Sequence, residues 1–360
     1  MIRRGFLIIA YRTPLNFPLT MSTLTPARIM ETGMAFWPAK VLLSAVELGV
    51  FTELGGGART GDELTRALKL HPRANPDFFD ALVALEFLER DGDGPGARYR
   101  NTAETAAFLD RKSPTFVGGF LEMANARLYR FWGDLTEGLR TGKAQNELKQ
   151  SGQSMFAELY SKPERLEQFC DAMSGISHGN FQALAEKFDF SRYQTLCDVG
   201  GSVGLLSILV ARRHPHLRCI TADLPEVTKL AERKIAAAGL SDRITARPLD
   251  FFADAFPKAD VITMGLIVHD WNVEKKMHLI RSAYEALPPG GAFIVVENLI
   301  DDARRENAFG LMMSLNMLIE FGDAFDFTGA DLARWCREVG FKRTEVIPLA
   351  GPASAGVAYK

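Results

Sequence analysis

One stretch governs what this chain can become: Thr195 to Gly204, T-L-C-D-V-G-G-S-V-G. Leu196, Cys197 and Val199 suit a short buried strand, and Leu205, Leu206, Ile208, Leu209 and Val210 follow as a helix with one dense apolar face. Between them Gly200, Gly201 and Gly204 keep side chains out of the way, so backbone N–H groups are free to approach a ligand. The pattern departs from G-x-G-x-x-G, because Ser202 stands where the second glycine would be. With Asp198 two places before the first glycine, the loop fits a nucleoside cofactor that lacks a pyrophosphate. A turn that is merely tightly packed is the plainer alternative.

The chain around this loop alternates strands and helices. Strands are expected at Thr195–Val199, Arg218–Ala222, Ile244–Pro248, Asp260–Val268, Gly291–Glu297, Lys342–Ile347 and Ala355–Tyr359, the last two as an antiparallel pair. Helices are expected at Leu205–His214, Val227–Ala238, Val273–Leu287 and Gly329–Val339. This is the pattern of an α/β domain with a doubly wound, mainly parallel sheet. Ligands of such sheets sit outside the carboxyl ends of the strands, so Asp223-Leu224, Asp250-Phe251 and His269-Asp270-Trp271 should gather in one cleft.

Upstream the texture is helical. Thr25 to Leu54 reads as helix, with more apolar surface than one small domain can cover. Thr60 and Glu63 form a capping box that opens a helix over Asp62–Leu70. A third helix is expected from Asp77 to Arg90, and Tyr99 to Thr102 as the returning edge of a small hairpin. Three helices and a hairpin make a winged-helix-like module. A DNA-binding role is opposed by Asp77, Asp80, Glu86 and Glu89 on the would-be recognition helix, because phosphate contacts dominate nucleic-acid affinity. The overall formal charge of -2 points the same way. A contact between subunits is the better use of that surface.

Four divisions follow: a leader over 1–20, disordered or misassigned at its start; the winged-helix-like module over 21–112; a helical linker over 113–187; and the α/β domain over 188–360. In the leader, Arg3 and Arg4 before Phe6-Leu7-Ile8-Ile9 mimic a signal peptide, but the apolar run is short and no small-residue cleavage site follows. The linker carries an aromatic and methionine stripe: Met123, Leu128, Phe131 and Trp132, then Met155, Phe156, Leu159 and Tyr160. Such a stripe at helical spacing either packs a core or lines a pocket for a flat, apolar substrate. The four cysteines are scattered with no C-x-x-C pair, which favours a reducing cytoplasm and offers no zinc motif. No apolar run approaches the ~20 residues that span a bilayer.

The candidate chemistry lies at the strand ends. S-adenosylmethionine fits the first loop, since its ammonium needs an acceptor such as Asp198. Asp223 ends the second strand and suits two ribose hydroxyls, although it also suits a helix N-cap. Asp250 with Phe251 suits an adenine edge and face, or simply a turn. His269 is the candidate general base: an imidazole titrates near neutrality and takes a proton from an attacking hydroxyl. The other five histidines read as solvated. Glu297, ending the fifth strand, suits holding that imidazole in one tautomer, or capping a turn.

In order and spacing, D-V-G-G-S-V-G, A-D-L-P-E-V, L-D-F-F, V-H-D-W-N and V-V-E-N resemble the S-adenosylmethionine-dependent small-molecule O-methyltransferases. The resemblance runs from about Pro26 to Lys360. It implies a Rossmann-like class I methyltransferase domain with a seven-stranded, mostly parallel sheet, behind an N-terminal all-helical winged-helix-like dimerisation domain. It implies a homodimer and S-adenosylhomocysteine as coproduct; the sequence shows no carboxylate-rich cluster, so no metal is expected. By position the resemblance assigns the methionine part of the cofactor to Asp198, Gly200 and Gly201, the ribose to Asp223 and Leu224, and the adenine to Asp250 and Phe251. Met173 and Ser174 match a segment that touches cofactor and substrate. His269 matches the base, and Glu297 the first of two flanking acids. The second acid of the plant enzymes lies in G-G-x-E-R-T, where this chain has Gly322 to Thr328, so Asp326 is the nearest substitute. Gly265 stands where plant enzymes often place a lysine.

For the acceptor pocket the candidates are Met123, Asn125, Phe131, Trp132, Met264, Asp270, Met312, Asn316 and Phe325, which suit a planar or apolar small molecule. The expected reaction is in-line methyl transfer to a phenolic or enolic hydroxyl. A thiol or amine acceptor, a cofactor-binding relative that transfers nothing, and a winged-helix regulator are the rivals.

Overall fold

The computed structural model describes residues 24–151 and 163–360. The leader, and Met155, Phe156, Leu159 and Tyr160 of the linker stripe, lie outside the described residues. The N-terminal helix expected over Thr25–Leu54 is three: Ala27–Met34, Phe36–Leu48 and Val50–Leu54. Gly49 makes the second break, at φ 75°, a left-handed conformation that glycine adopts freely. The capping box is present: Thr60 Oγ1 accepts from the Glu63 N–H, and Glu63 Oε2 accepts from the Thr60 N–H.

The helix expected from Asp77 to Arg90 stops at Ala84. Glu86 turns the chain at φ 64°, and Leu88–Asp91 is a strand instead. Three short strands, β1 (Arg59–Thr60), β2 (Leu88–Asp91) and β3 (Arg98–Asn101), pair antiparallel in the order β1-β3-β2. Arg90 then pairs with Asp80 back on the helix, which ties the wing to it. Phe51, Leu64, Phe79, Leu82 and Tyr99 form the core of this module.

The second sheet has seven strands: β4 (Thr195–Val199), β5 (Arg218–Asp223), β6 (Ile244–Pro248), β7 (Val261–Gly265), β8 (Ala292–Glu297), β9 (Arg343–Pro348) and β10 (Ser354–Tyr359). Their order is β6-β5-β4-β7-β8-β10-β9. β4 to β8 run parallel, and β10 runs antiparallel to both β8 and β9. Every residue of β8 is buried, because helices cover both faces of a parallel sheet. Alternation sorts its side chains: Phe293 and Val295 join the core beneath Leu279 and Trp335, while Ala292, Ile294 and Val296 join that beneath Leu184 and Leu206.

The chain lays β4, β5 and β6 outward in one direction, then returns to place β7 on the other side of β4. The crevice at such a switch point is where ligands bind in open α/β sheets. It lies between the glycine loop after β4 and the turn that follows β7. In the α/β domain one helix escaped the sequence reading: Ala308–Phe321, A-F-G-L-M-M-S-L-N-M-L-I-E-F. Its composition is apolar all round, so it carries no helical stripe to read.

Candidate functional site

The loop after β4 is shaped by steric need. Gly200 sits at φ 70°, and a Cβ there would meet Ile267 at 2.6 Å. A Cβ on Gly201 would meet Thr221 Oγ1 at 2.2 Å and Asp198 Oδ2 at 2.7 Å. Ser202, where a glycine is usual, takes φ 49° all the same. Its N–H donates to Asp223 Oδ2 at 2.8 Å, and the Leu224 N–H donates to Asp223 Oδ1 at 2.8 Å. Asp223 is therefore fixed by backbone from both sides.

Asp198 is buried and accepts from Thr263 Oγ1 at 2.7 Å. Burial pushes its carboxyl up to about 7, against the pull of that hydrogen bond, with the nearby Asp223 adding to the rise. Burial likewise pushes Asp223 up to about 6, against its two backbone donors. Both acids hold acceptor capacity that a cationic or hydroxyl-bearing ligand would use. Asp250 is exposed and accepts from the Phe252 N–H at 2.9 Å. Phe251 stacks edge-on against Phe252 and Trp271. The buried indole Nε1 of Trp271 has no partner among the described residues.

One cavity of about 690 Å³ runs from this loop across the strand ends and beneath the helices. All nine residues expected at the cofactor line it: Asp198, Gly200, Gly201, Asp223, Leu224, Asp250, Phe251, Met173 and Ser174. Gly265 lines it too, and the ring of Phe181, 2.8 Å from where a Cβ would stand, fills the space a lysine would need.

His269 lies in the turn Val268–Asp270 and is 6% exposed. Its Nε2 is 3.3 Å from Asp270 Oδ1, and its Nδ1 is 3.3 Å from Asp326 Oδ1 and 3.8 Å from Glu297 Oε2. Glu297 instead accepts through Oε1 from the N–H groups of Val268 at 3.0 Å and His269 at 3.3 Å, so it braces the turn. Burial works hardest against charge on this imidazole. Glu297, Asp270 and Asp326 outweigh it and push the group up to about 10. Burial in turn pushes Glu297 up to about 7 and Asp270 up to about 6, against the attraction of the imidazole. Lys276, wholly buried, donates to the carbonyls of Trp271 and Phe325, and burial pushes it down to about 8. Protons in such a cluster belong to the group jointly rather than to single residues.

His269 and Asp270 line the cavity, whereas Glu297 and Asp326 stand behind the imidazole. Of the expected acceptor residues, Met123, Trp132, Asp270, Met312 and Asn316 line the cavity. Four do not. Asn125 accepts from Lys40 and donates to Glu47, each at 2.5 Å, because its π-helical turn faces the N-terminal helix. Phe131 is buried under the Arg127 guanidinium. Met264 falls on the face of β7 that packs into the sheet core. Phe325 lies beneath the Lys276 ammonium, 3.9 Å from its ring centre.

Two charged residues at the acceptor end were not foreseen. Arg127 binds Glu147 through Nε and Nη2, at 2.5 and 2.7 Å, and Glu320 through Nη2 at 3.0 Å. Glu320 is the single acid in Ala308–Phe321, and a lone carboxylate in so apolar a helix was the signal available. His214, read as solvated, is half-buried with Nε2 2.8 Å from the Ala185 carbonyl oxygen.

Comparison with known proteins places this architecture. Residues 132–342 match the family model of the O-methyltransferase domain, and residues 30–111 that of the O-methyltransferase dimerisation domain. The chain belongs to the S-adenosylmethionine-dependent O-methyltransferases acting on small molecules. It is 37% identical over 335 residues to the tetracenomycin polyketide synthesis 8-O-methyl transferase TcmO of Streptomyces glaucescens, covering 93% of this chain and 97% of that one. It is 35% identical over 315 residues to the N,N-dimethyltransferase OxyT of Streptomyces rimosus, covering 87% and 90%. The crystal structure of human N-acetylserotonin methyltransferase in complex with SAM superposes with a TM-score of 0.87 at 27% identity, covering 95% of this chain and 99% of that one. Among the described residues, no helix is long and apolar enough to cross a membrane.

Proposed function

We propose that this chain moves a methyl group from S-adenosylmethionine to a hydroxyl of a small planar or apolar molecule by in-line displacement, with His269 as general base. The observation that carries the reading is the single cavity shared by the glycine loop, Asp223 and His269. The cofactor supplies an activated methyl on a sulfonium. The residues suit it: the bare backbone at Gly201, the buried Asp198 carboxyl that an ammonium would hold ionised, and the twice-held Asp223 are what an ammonium and a ribose require. Asp250, Phe251, Met173 and Ser174 complete its walls.

His269 removes the proton from the acceptor oxygen. A free phenol has a pKa of ~10, so its proton has to be taken up as the oxygen attacks, and Glu297, Asp270 and Asp326 stabilise the imidazolium that results. Asp326 is the acid at Nδ1; it orients the ring and leaves Nε2 toward the cavity. Glu297 holds the turn and adds its charge. Ile29, Met30, Phe36 and Trp37 are exposed on the first helices, and a second copy of the chain covers them in the homodimer we expect. The test is to incubate the protein with S-adenosylmethionine and a panel of naphthols and hydroxyanthracenes. S-adenosylhomocysteine and an aryl methyl ether should form together, without any effect of EDTA. Absence of both products across the panel would sink the reading.

The kinship with OxyT supports a second reading, an amine acceptor. A free amine needs less help from a base, so its rate would track amine deprotonation rather than the state of His269.

A further inference from the structure

We propose that Glu320 selects the acceptor: its Oε1 takes a hydrogen bond from a second donor, hydroxyl or N–H, carried by the acceptor away from the oxygen that receives the methyl. This inference rests on the acceptor reading of the cavity given above. Glu320 is 5% exposed and lines the same cavity as His269, Asp270 and Asn316. Its carboxylate is held at one oxygen only. Oε2 accepts from Arg127 Nη2 at 3.0 Å and from Asn146 Nδ2 at 3.2 Å, while Asn146 Nδ2 also lies 2.7 Å from the Glu320 carbonyl oxygen. Oε1 is buried and has no partner among the described residues. The group cannot swing to find one, because Oε2 is pinned from two directions.

A buried acceptor left unpaired is costly, and native sites keep such groups where a ligand completes them. Much of the wall here is apolar, with Met317 and Phe321 beside Glu320 on the same helix, and the amide oxygen of Asn316 is taken up by the Trp132 indole N–H. The one guanidinium of Arg127 is shared by Glu147 and Glu320, so Glu320 keeps capacity to spare. Glu320 and Asp270 line the same cavity, and the charge of Glu320 adds to the rise of the Asp270 carboxyl. The substrate class is therefore a planar molecule with at least two donors, not a lone phenol and not a carboxylate at that end. A site with a polar group built in rejects the analogue lacking the complementary one far more strongly than an apolar wall does.

The test uses the full-length protein saturated with S-adenosylhomocysteine and measures binding by calorimetry. Each naphthalenediol is compared with its monomethyl ether, which retains the oxygen but loses a donor. At least one diol should bind about tenfold more tightly than its ether. In Glu320→Gln the amide oxygen keeps Arg127 and Asn146, which turns the NH2 group to the Oε1 position. The preference should then vanish or invert toward the ether. Equal affinities within every pair in the native protein overturn the proposal, as does an unchanged preference in the variant or failure of every compound to bind. If the variant does not fold, the native comparison decides alone. Methyl transfer to the same diols is measured separately. Discrimination without transfer removes the reaction and keeps Glu320 as the selecting group, whereas transfer without discrimination does the reverse.

Discussion

The two ends of the cavity are built differently. At the cofactor end the contacts that fix Asp223 are close in sequence: it holds the N–H of Leu224, its neighbour, and that of Ser202, 21 positions back, while Asp198 is held by Thr263 on a neighbouring strand of the same sheet. At the acceptor end they span most of the chain. Trp132 Nε1 donates to Asn316 Oδ1 at 2.9 Å across 184 positions, and Arg127 reaches Glu320 across 193. The first kind of contact lies within the sheet and the turns at its strand ends, so it stands once the sheet forms. The second exists only when the helical segment before residue 140 docks on Ala308–Phe321. Cofactor binding should therefore tolerate damage to the acceptor end, and the reverse dependence should also be weak.

The largest test of that separation is His269→Ala. A general base contributes ~10²–10⁴-fold, so kcat should fall by that order on a phenolic acceptor. Affinity for S-adenosylhomocysteine, measured by calorimetry, should stay unchanged, because none of the contacts that fix Asp198 or Asp223 involves the imidazole. A normal turnover number would remove the base; a lost cofactor would break the division between the two ends.

A smaller effect separates the ends by pH. Asp198 and Asp223 stand above the ordinary carboxylate range because they are buried. In the free protein they hold protons more tightly folded than unfolded. Their contribution to stability is thus full at low pH and is lost as pH rises from the ordinary carboxylate value through about 6 and then about 7. A ligand that brings a positive charge to Asp198 needs that acid ionised. Affinity for S-adenosylmethionine should rise with pH up to about 7, by about tenfold per unit at the steepest, then level off. Asp198→Asn should bind weakly with a flatter profile. Titrations between pH 5.5 and 8 check both. An affinity that falls as pH rises would contradict the burial account.

The same division explains what could be read in advance. β4, β6 and the helix Gly329–Val339 appear where their patterns put them, and every cofactor candidate lines the cavity. Each depends on local apolar periodicity and on a strand end, which a short window of sequence records. The wing was misjudged because Phe87 and Leu88 continue an apolar helical stripe, while a left-handed Glu86, invisible to periodicity, turns the chain. Met264 and Phe325 were misplaced because the facing of a strand or loop residue is settled by packing: Met264 by the covered sheet, Phe325 by a buried ammonium. Asp326 was named only as the nearest substitute in a family pattern. Its approach to Nδ1 comes from a loop 57 positions away, which no spacing rule supplies.

Asn125 gives the smallest effect and the finest cut between the two kinds of contact. It sits two residues from Met123, which lines the cavity, yet it is turned away from it. Its amide bridges Lys40 and Glu47, so it couples the helical linker to the N-terminal module. Asn125→Ala should cost about 1–3 kcal/mol of stability, because two hydrogen bonds at a buried position lose their partner. KM for the acceptor should change by less than about twofold, since no contact to the cavity is lost. Trp132→Phe is the counterpart. It keeps the ring, loses the hydrogen bond to Asn316 inside the cavity, and should raise KM with little change in cofactor affinity. Thermal melts and steady-state kinetics on the pair decide the matter. If Asn125→Ala raised KM as much as Trp132→Phe, the acceptor end would extend to the N-terminal module, and the boundary drawn here between binding wall and domain joint would have to move.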